Sequence, residues 1–444
     1  MDAPLLHSNG QSEGNVSAED LEKDIGCQGD DILPSFTNET STLMTCLNGL
    51  NALFGIGLLS MPYALSEAGW LSLVPFLAIA VLCYYTGLLL KRCMDKDPNI
   101  NTYPDVGEYA FGRKGKVTIS VIMHLELYLV SVGFLILEAA NLDKLFPNAK
   151  FEWKSPVGVV FELKGKSLFT ILSAFCFLPS VWLKNMGSLG YVSAGGVFAS
   201  FVMVCSVIWI GLSESVGIEL VDMKVLDMAG LSSAMGLYFF CFCGHAVFPS
   251  LYTSMKYKHR FNFVLSICFF ICSFNYIVMA IVGYLLYGDQ VKSQITLNLP
   301  VEYFSTKVVI YTVLLNPLTR FALILSPVAT FIEDKLLPSP SSSSWHPRRH
   351  RFSSFVVRSL LVMSTAVVAL SIPFFAHVVS LIGSFMSITA SVLFPCLCYM
   401  KIFRVNPREN CTFESLCLTA IVIGGIIATC LGTYTSFRDI FGKL

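Results

Sequence analysis

Phe54-Gly55-Ile56-Gly57-Leu58-Leu59-Ser60-Met61-Pro62 interrupts the first long apolar run of this chain. Phe242-Cys243-Gly244-His245-Ala246-Val247-Phe248-Pro249 interrupts the sixth in the same manner. Each stretch places a glycine five residues before a proline, Gly57 to Pro62 and Gly244 to Pro249. Inside a helix, glycine costs about 1 kcal/mol and proline about 3 kcal/mol relative to alanine. Both runs are therefore expected to split into half-helices. In hydrocarbon the freed backbone groups must find partners within the protein or in a wet cavity. Half-helix N-termini at such a break favour an anionic group such as a carboxylate. Carbonyls at half-helix C-termini suit an ammonium or a cation.

The rest of the chain puts these breaks in a membrane. The 444 residues are 54% hydrophobic and only 14% charged, against about 25% charged in soluble domains. Apolar runs fall at 42–66, 69–91, 117–140, 167–183, 190–213, 229–254, 262–287, 304–332, 354–375, 378–400 and 415–436. Each approaches the ~20 residues needed to cross the bilayer. We thus expect an all-α polytopic membrane protein of about eleven helices. The second broken run follows the first by five in span order, the spacing of a five-helix unit used twice. Matched Gly/Pro interruptions in two halves point to a binding site near the bilayer midplane. Two ordinary membrane-helix kinks are the alternative reading. The expected organisation is an acidic, disordered tail over 1–36, five-helix repeats over 37–213 and 214–401, and an eleventh helix with the C-terminus over 402–444.

Charge sets the orientation. Thirty basic residues balance thirty acidic ones, so no basic excess suggests nucleic acid. With the N-terminus in the cytoplasm, nineteen Lys and Arg fall on the cytoplasmic side and ten on the other, as the positive-inside rule requires. An odd span count then places the C-terminus on the far side. Sequons at Asn15, Asn38 and Asn410 lie on the cytoplasmic side and are expected to be unmodified. No cysteine falls in an outer loop, so no disulfide framework is expected. The Pro/Ser-rich, basic stretch 338–352 reads as a solvated linker beside an anionic leaflet.

Ionisable residues inside spans are functional candidates. His124, Glu126 and Glu138 lie in the third span, Arg320 in the eighth, and His245 at the second break. A histidine titrates near pH 6.5 when unperturbed, which suits His245 to a proton site, with Glu126 as a second candidate. A neutral, hydrogen-bonded His245 that stabilises the break is the competing reading. Arg320 is expected to pin a helix through an acid or carbonyls. Enzyme signatures are absent. Gly107-Glu-Tyr-Ala-Phe-Gly112 begins like a P-loop, but Arg113-Lys114 follow where Lys-Ser/Thr is required. No metal motif or cofactor is expected.

The motifs FGIGLLSMPYALSEAGW, YPDVGEYAFG, GHAVFPSLYTSM and NPLTRFAL resemble the amino acid/auxin permease superfamily, most closely its plant and yeast vacuolar amino acid transporters. The resemblance covers about residues 37–436. It implies a LeuT-like inverted repeat of five plus five helices with one extra, and proton-linked movement of neutral amino acids. Carried onto this sequence, it implies substrate contacts at Asn51, Gly55, Ile56, Gly57 and Leu58 of the first break. At the second break Cys243, Gly244 and His245 match the family's pattern, and Phe242, Cys243 and Gly244 are the expected substrate contacts. Thr102 to Gly112 match a structural gate between spans two and three. The third span departs from the family pattern at Gly133 and at Ala139-Ala140, where acidic residues are usual.

The resulting expectation is a proton-coupled secondary transporter working by alternating access in the vacuolar membrane, N-terminus cytoplasmic and C-terminus lumenal. Its partners would be an amino acid, a proton and the lipid bilayer, and the working unit a monomer. Sodium coupling, a non-transporting amino-acid receptor and a channel are the alternatives. An Asp2-Ala3-Pro4-Leu5-Leu6 motif resembles an acidic dileucine sorting signal.

Overall fold

The computed structural model describes residues 40–154, 160–182, 189–213, 223–337, 347–372, 374–405 and 412–442. The tail, the three sequons, the dileucine motif and most of the Pro/Ser-rich stretch lie outside these residues. The first run is broken as expected. Helix α1 (Thr42–Leu53) stops at Phe54, Gly55 is extended (φ −83°, ψ −175°), a 3-10 turn covers Ile56–Ser60, and α2 (Met61–Ala68) carries Pro62 in its first turn. The two arms are bent by 45°. Helices α3 (Leu73–Met94), α4 (Tyr103–Leu145), α5 (Gly165–Trp182) and α6 (Leu189–Ser213) complete the first half. The sixth run is divided into α7 (Met228–Cys241) and α8 (Phe248–Ser254), with Pro249 at the start of the second. Then follow α9 (Phe261–Tyr287), α10 (Phe304–Leu336), α11 (Pro347–Ser371), α12 (Phe375–Leu381), α13 (Phe394–Ile402) and α14 (Phe413–Phe441). Two π-helical segments, Ile382–Ser387 and Thr389–Leu393, join α12 to α13.

Among the described residues nine helices are long and apolar enough to cross a membrane, or ten when α1 and α2 count as one bent crossing. The expected count of eleven differs by the sixth run. Its break leaves α7 with 14 residues and α8 with 7, and neither alone reaches the ~20 needed.

Two local features differ from the sequence reading. Helix α4 extends well before the expected start at 117. Its first part, from Tyr103 to Phe111, turns at Gly112, which sits at φ 67°, a region costly for any residue with a side chain. The turn folds this part back so that Gly107 and Gly115 touch, and a Cβ on either would strike the other's backbone. Thr102 and Asp105 form a capping box at its start, and Lys116 binds Glu108 at 2.6 Å. The Tyr103 hydroxyl donates to the Ala390 carbonyl (2.5 Å) in the second π segment. Thr102–Gly112, expected as a gate element, is thus a short helix clipped to the tenth run. The second difference is a two-stranded antiparallel hairpin, β1 (Lys150–Lys154) with β2 (Val160–Lys164), between α4 and α5. It is the only sheet among the described residues.

The two broken runs lie antiparallel and are stitched together at both ends. At one end Thr40 pairs with the strand-like segment after α8: its N–H donates to the Ser254 carbonyl (2.8 Å), and Lys256 N–H donates to the Thr40 carbonyl (3.1 Å). At the other, Trp70 and Leu71 N–H donate to the Lys224 and Val225 carbonyls (3.1 and 2.9 Å), and Asp227 N–H to Ala68 (2.9 Å). Asp227 caps α7, accepting from Ala229 and Gly230. Those backbone N–H groups hold its carboxyl below the usual range.

On the Asp227 end, residues 288–298 fold inward over the first break. Ser60 donates to the Ser293 carbonyl (2.7 Å), Asn141 of α4 donates to Gln294 (2.8 Å), and Lys144 binds the Thr296 and Leu299 carbonyls. Gln294, Ile295 and Thr296 are fully buried.

Candidate functional site

The breaks meet at the middle of this antiparallel pair. A Cβ on Gly57 would lie 2.8 Å from Cys241 Sγ and 3.2 Å from the Phe240 ring. A Cβ on Gly244 would lie 2.9 Å from Leu53 Cδ2. Each glycine thus allows the backbone of its break to approach the other broken run closely. Cys241 Sγ also lies 3.5 Å from Met61 Sδ. From the third span, Gly133 faces Ile56: a Cβ there would stand 3.1 Å from Ile56 Cδ1. The structure therefore brings the first break, with Gly55–Leu58, against the second, with Phe242–Gly244 directly after Cys241. Ile56, Gly57, Leu58 and Gly244 are buried, while Gly55 and Cys243 keep some accessible surface.

The first break is held by side chains from distant spans. Leu53 carbonyl accepts from the Tyr276 hydroxyl of α9 (2.6 Å) and from Gly55 N–H (2.7 Å). Gly55 N–H also reaches the Tyr276 oxygen at 3.3 Å. The Phe54 carbonyl, left over by the break, accepts from the Arg320 guanidinium of α10. The same guanidinium donates to the Asn51 side-chain carbonyl. Asn51 in turn donates to Ser193 of α6 at 3.4 Å. Arg320 thus pins the break through a backbone carbonyl, one of the partners, an acid or carbonyls, expected from the sequence. Asn51, expected at the substrate, has its amide engaged by Arg320 and Ser193.

The second break folds mostly on itself. Cys243 N–H donates to Phe240, Gly244 N–H to Phe242, and Val247 and Phe248 N–H to Gly244. Phe242 is fully buried in an aromatic cluster with Phe76 (5.2 Å), Phe269 (5.7 Å) and Tyr276 (6.0 Å). His245, 1% exposed, turns toward α3, with Nε2 at 3.0 Å from Thr86 Oγ1. Thr86 Oγ1 is 3.1 Å from the Leu82 and Cys83 carbonyls. A hydroxyl has one proton to give. Spent on these carbonyls, it leaves Thr86 to accept from His245 Nε2–H. Nδ1 then carries a bare, buried lone pair, and it has no hydrogen-bond partner.

Glu126, also buried, accepts from Ser387 Oγ at 2.7 Å. Ser387 ends the first π segment, and such segments are frequent at functional positions. Ser387 also faces the Cys243 thiol of the second break. The structure does not join His245 and Glu126 by a hydrogen bond: one leans on the second span, the other on the tenth. Of the remaining in-span candidates, His124 stacks on Phe331 with ring centroids 4.4 Å apart. Glu138 is 3% exposed, and its Oε1 has no partner.

Sequence reasoning missed Tyr276, Ser193, Gly196, Thr86 and Ser387. Only Ser193-Ala-Gly-Gly196 carried a signal, since a run of small residues marks close helix approach in membranes. It also missed a buried ion pair. Arg358, one of the nineteen basic residues counted on the cytoplasmic side, is 3% exposed. It binds Glu333 at 2.7 Å and donates to the Val181 carbonyl at 2.9 Å.

Solved structures share the architecture. A Na+-coupled sialic acid symporter in a substrate-bound, outward-open state aligns over 89% of this chain and 90% of its own, with TM-score 0.52 and 12% identity. MhsT in complex with L-phenylalanine aligns over 89% and 98%, with TM-score 0.51 and 10% identity. The shared architecture carries the all-α, LeuT-like fold class to this chain. Among sequence relatives, Amino acid transporter AVT1J of Arabidopsis thaliana is 46% identical over 404 residues, covering 91% of this chain and 92% of its own. Amino acid transporter AVT1I of the same plant is 44% identical over 408 residues, with 91% and 96% coverage. The family described as "Transmembrane amino acid transporter protein" matches residues 38–438. With that match spanning both breaks and nearly all the membrane helices, the chain belongs to this family of amino acid transporters and is not an enzyme.

Proposed function

We propose that the chain is a proton-coupled transporter of neutral amino acids in the vacuolar membrane. It would work by alternating access as a monomer, with its N-terminus cytoplasmic, its C-terminus lumenal and eleven crossings. The observation that carries this reading is the mutual seating of the two breaks, with Gly57 against Cys241 and Gly244 against Leu53. Backbone N–H groups of the 3-10 turn after Gly55 offer an anion site to the substrate carboxylate. Gly55–Leu58 and Phe242–Gly244 would form the site's walls.

Proton coupling draws on two buried groups beside the second break. His245 has an unpartnered Nδ1, and Glu126 is bonded to a hydroxyl rather than to a cation. Protonating either changes the charge next to the segment that must move. A ligand or proton shifts a two-state equilibrium only by its differential affinity for the states, and a buried charge supplies such a difference. Each pH unit is worth about 1.4 kcal/mol per proton, enough for about tenfold accumulation.

Uptake of labelled neutral amino acids into proteoliposomes, under a pH gradient and without sodium, tests the reading. Uptake that follows the gradient and collapses with an uncoupler is the expected result. Absence of uptake without sodium would sink it.

A further inference from the structure

The turn between α8 and α9 gathers positive charge and gives it no carboxylate. Lys256, Lys258, His259 and Arg260 follow one another closely there, and all are exposed. The backbone of the turn is fixed. Met255 is buried, Lys256 N–H donates to the Thr40 carbonyl (3.1 Å), and a 3-10 turn covers Lys258–Arg260, with Arg260 N–H on the Tyr257 carbonyl (2.9 Å). Two tyrosines collect the side chains. Lys256 Nζ and the Arg260 guanidinium lie 5.7 and 5.3 Å from the centre of the Tyr257 ring. Lys258 Nζ lies 5.6 Å from the Tyr252 ring, which Lys91 of α3 approaches at 5.9 Å. A ring face attracts a cation but brings no countercharge, so cations that share a ring still repel one another. Lys91 is neutralised by Asp95 at 2.9 Å, which also accepts from the Tyr252 hydroxyl. Among the described residues no ion pair reaches Lys256, Lys258 or Arg260.

The turn also stands where a bilayer surface begins. Helix α9 starts directly after it and is long and apolar enough to cross a membrane. Phe263, Phe270 and Phe274 are exposed on it, and their spacing of seven and four residues keeps them on one helical face. That face offers a stripe for acyl chains, with the unpaired cations at its head. Tyr257, itself exposed, lies at the level where interfacial aromatics gather. A cluster of Lys and Arg at the edge of a span attracts the phosphates of anionic lipids.

We propose that Lys256, Lys258 and Arg260 bind the phosphate of an anionic lipid headgroup, and that this contact ties α8 to the bilayer surface. Helix α8 is the short arm after the second break, so a headgroup held at its end restrains that arm without touching the substrate. The proposal rests on the reading that places the N-terminus, and with it this turn, on the cytoplasmic side, where the leaflet is anionic. Its primary readout is lipid binding, which does not require transport.

Short-chain phosphatidylserine is titrated onto the purified full-length protein in neutral detergent, with thermal unfolding as the readout. It should raise the unfolding temperature saturably, while phosphatidylcholine should not. Lys256→Gln, Lys258→Gln and Arg260→Gln should each weaken the lipid's affinity about fivefold, and all three together about a hundredfold. Lys256→Arg with Lys258→Arg keeps the charge and should bind like wild type. In vesicles, wild-type uptake should differ between phosphatidylcholine and a phosphatidylcholine–phosphatidylserine mixture, and uptake by the triple Gln variant should not. If the triple variant cannot be isolated, the three single variants carry the test. Gln variants with wild-type lipid affinity overturn the proposal. So does a wild type that phosphatidylserine does not stabilise, or Gln variants whose uptake responds to it as wild type does. Stabilisation by inositol hexakisphosphate without any by phosphatidylserine would assign the turn to a soluble phosphate and overturn the lipid. Saturable lipid binding with no uptake in any vesicle would support the site and reject the transport reading.

Discussion

The two breaks share their punctuation but not their support. The second turns on itself: four local N–H groups close onto Phe240, Phe242 and Gly244, and His245 adds one bond to Thr86. The first is held from outside, by Tyr276 of one span and Arg320 of another. A self-satisfied break can flex without stranding a polar group. A break held by long-range partners cannot, because an unpaired buried carbonyl costs about 1–3 kcal/mol. The first break should therefore be the stiffer, and the second the place where small chemical changes alter the balance of states.

Substitutions test this contrast. The largest effect is expected from Gly57→Leu. Even a Cβ there would crowd Cys241 and Phe240, so uptake should be abolished while expression and membrane insertion persist. Wild-type uptake would reject the assignment of the site. Gly57→Ala should be milder, and Cys241→Ala should partly rescue it by removing the sulfur it meets.

Next comes Tyr276→Phe, which takes away the hydroxyl shared by Leu53 and Gly55. Unfolding measured on the purified protein should show a loss of about 1–2 kcal/mol. A change within error would show that the Gly55 N–H alone supports the Leu53 carbonyl.

At the second break, His245→Gln should flatten the pH profile of uptake. An unchanged profile would leave His245 as a structural peg. Thr86→Val is the smallest of the set. Removing the acceptor for Nε2–H should shift the profile without removing it. Identical profiles for Thr86→Val and wild type would break the proposed pairing of roles.

Much of this arrangement was legible in the sequence, for local reasons. Gly57–Pro62 and Gly244–Pro249 act through backbone propensity, which a short stretch carries by itself. The antiparallel seating agrees with an odd, five-span offset between the two broken runs. What fills the breaks was not legible. Arg320 lies 266 residues from the carbonyl it binds, and Tyr276 lies 223 from Leu53. No periodicity links residues that only packing brings together. Arg358 was misplaced for a related reason. A charge near the start of the apolar run 354–375 looks solvated until its partner, Glu333 of the preceding span, is seen beside it. The fold of Tyr103–Phe111 onto the rest of α4 depended on one positive φ at Gly112, a choice glycine permits but does not announce.

The backbone bonds that join the broken runs at both ends have a mechanical consequence. Thr40 with Ser254 and Lys256, and Trp70–Leu71 with Lys224–Val225, form two welds on one lever. Spin labels on α1 and α8 should keep a fixed separation as the protein cycles, while distances from either to α4 change. Any load applied at Thr40 would then be delivered to both breaks at once.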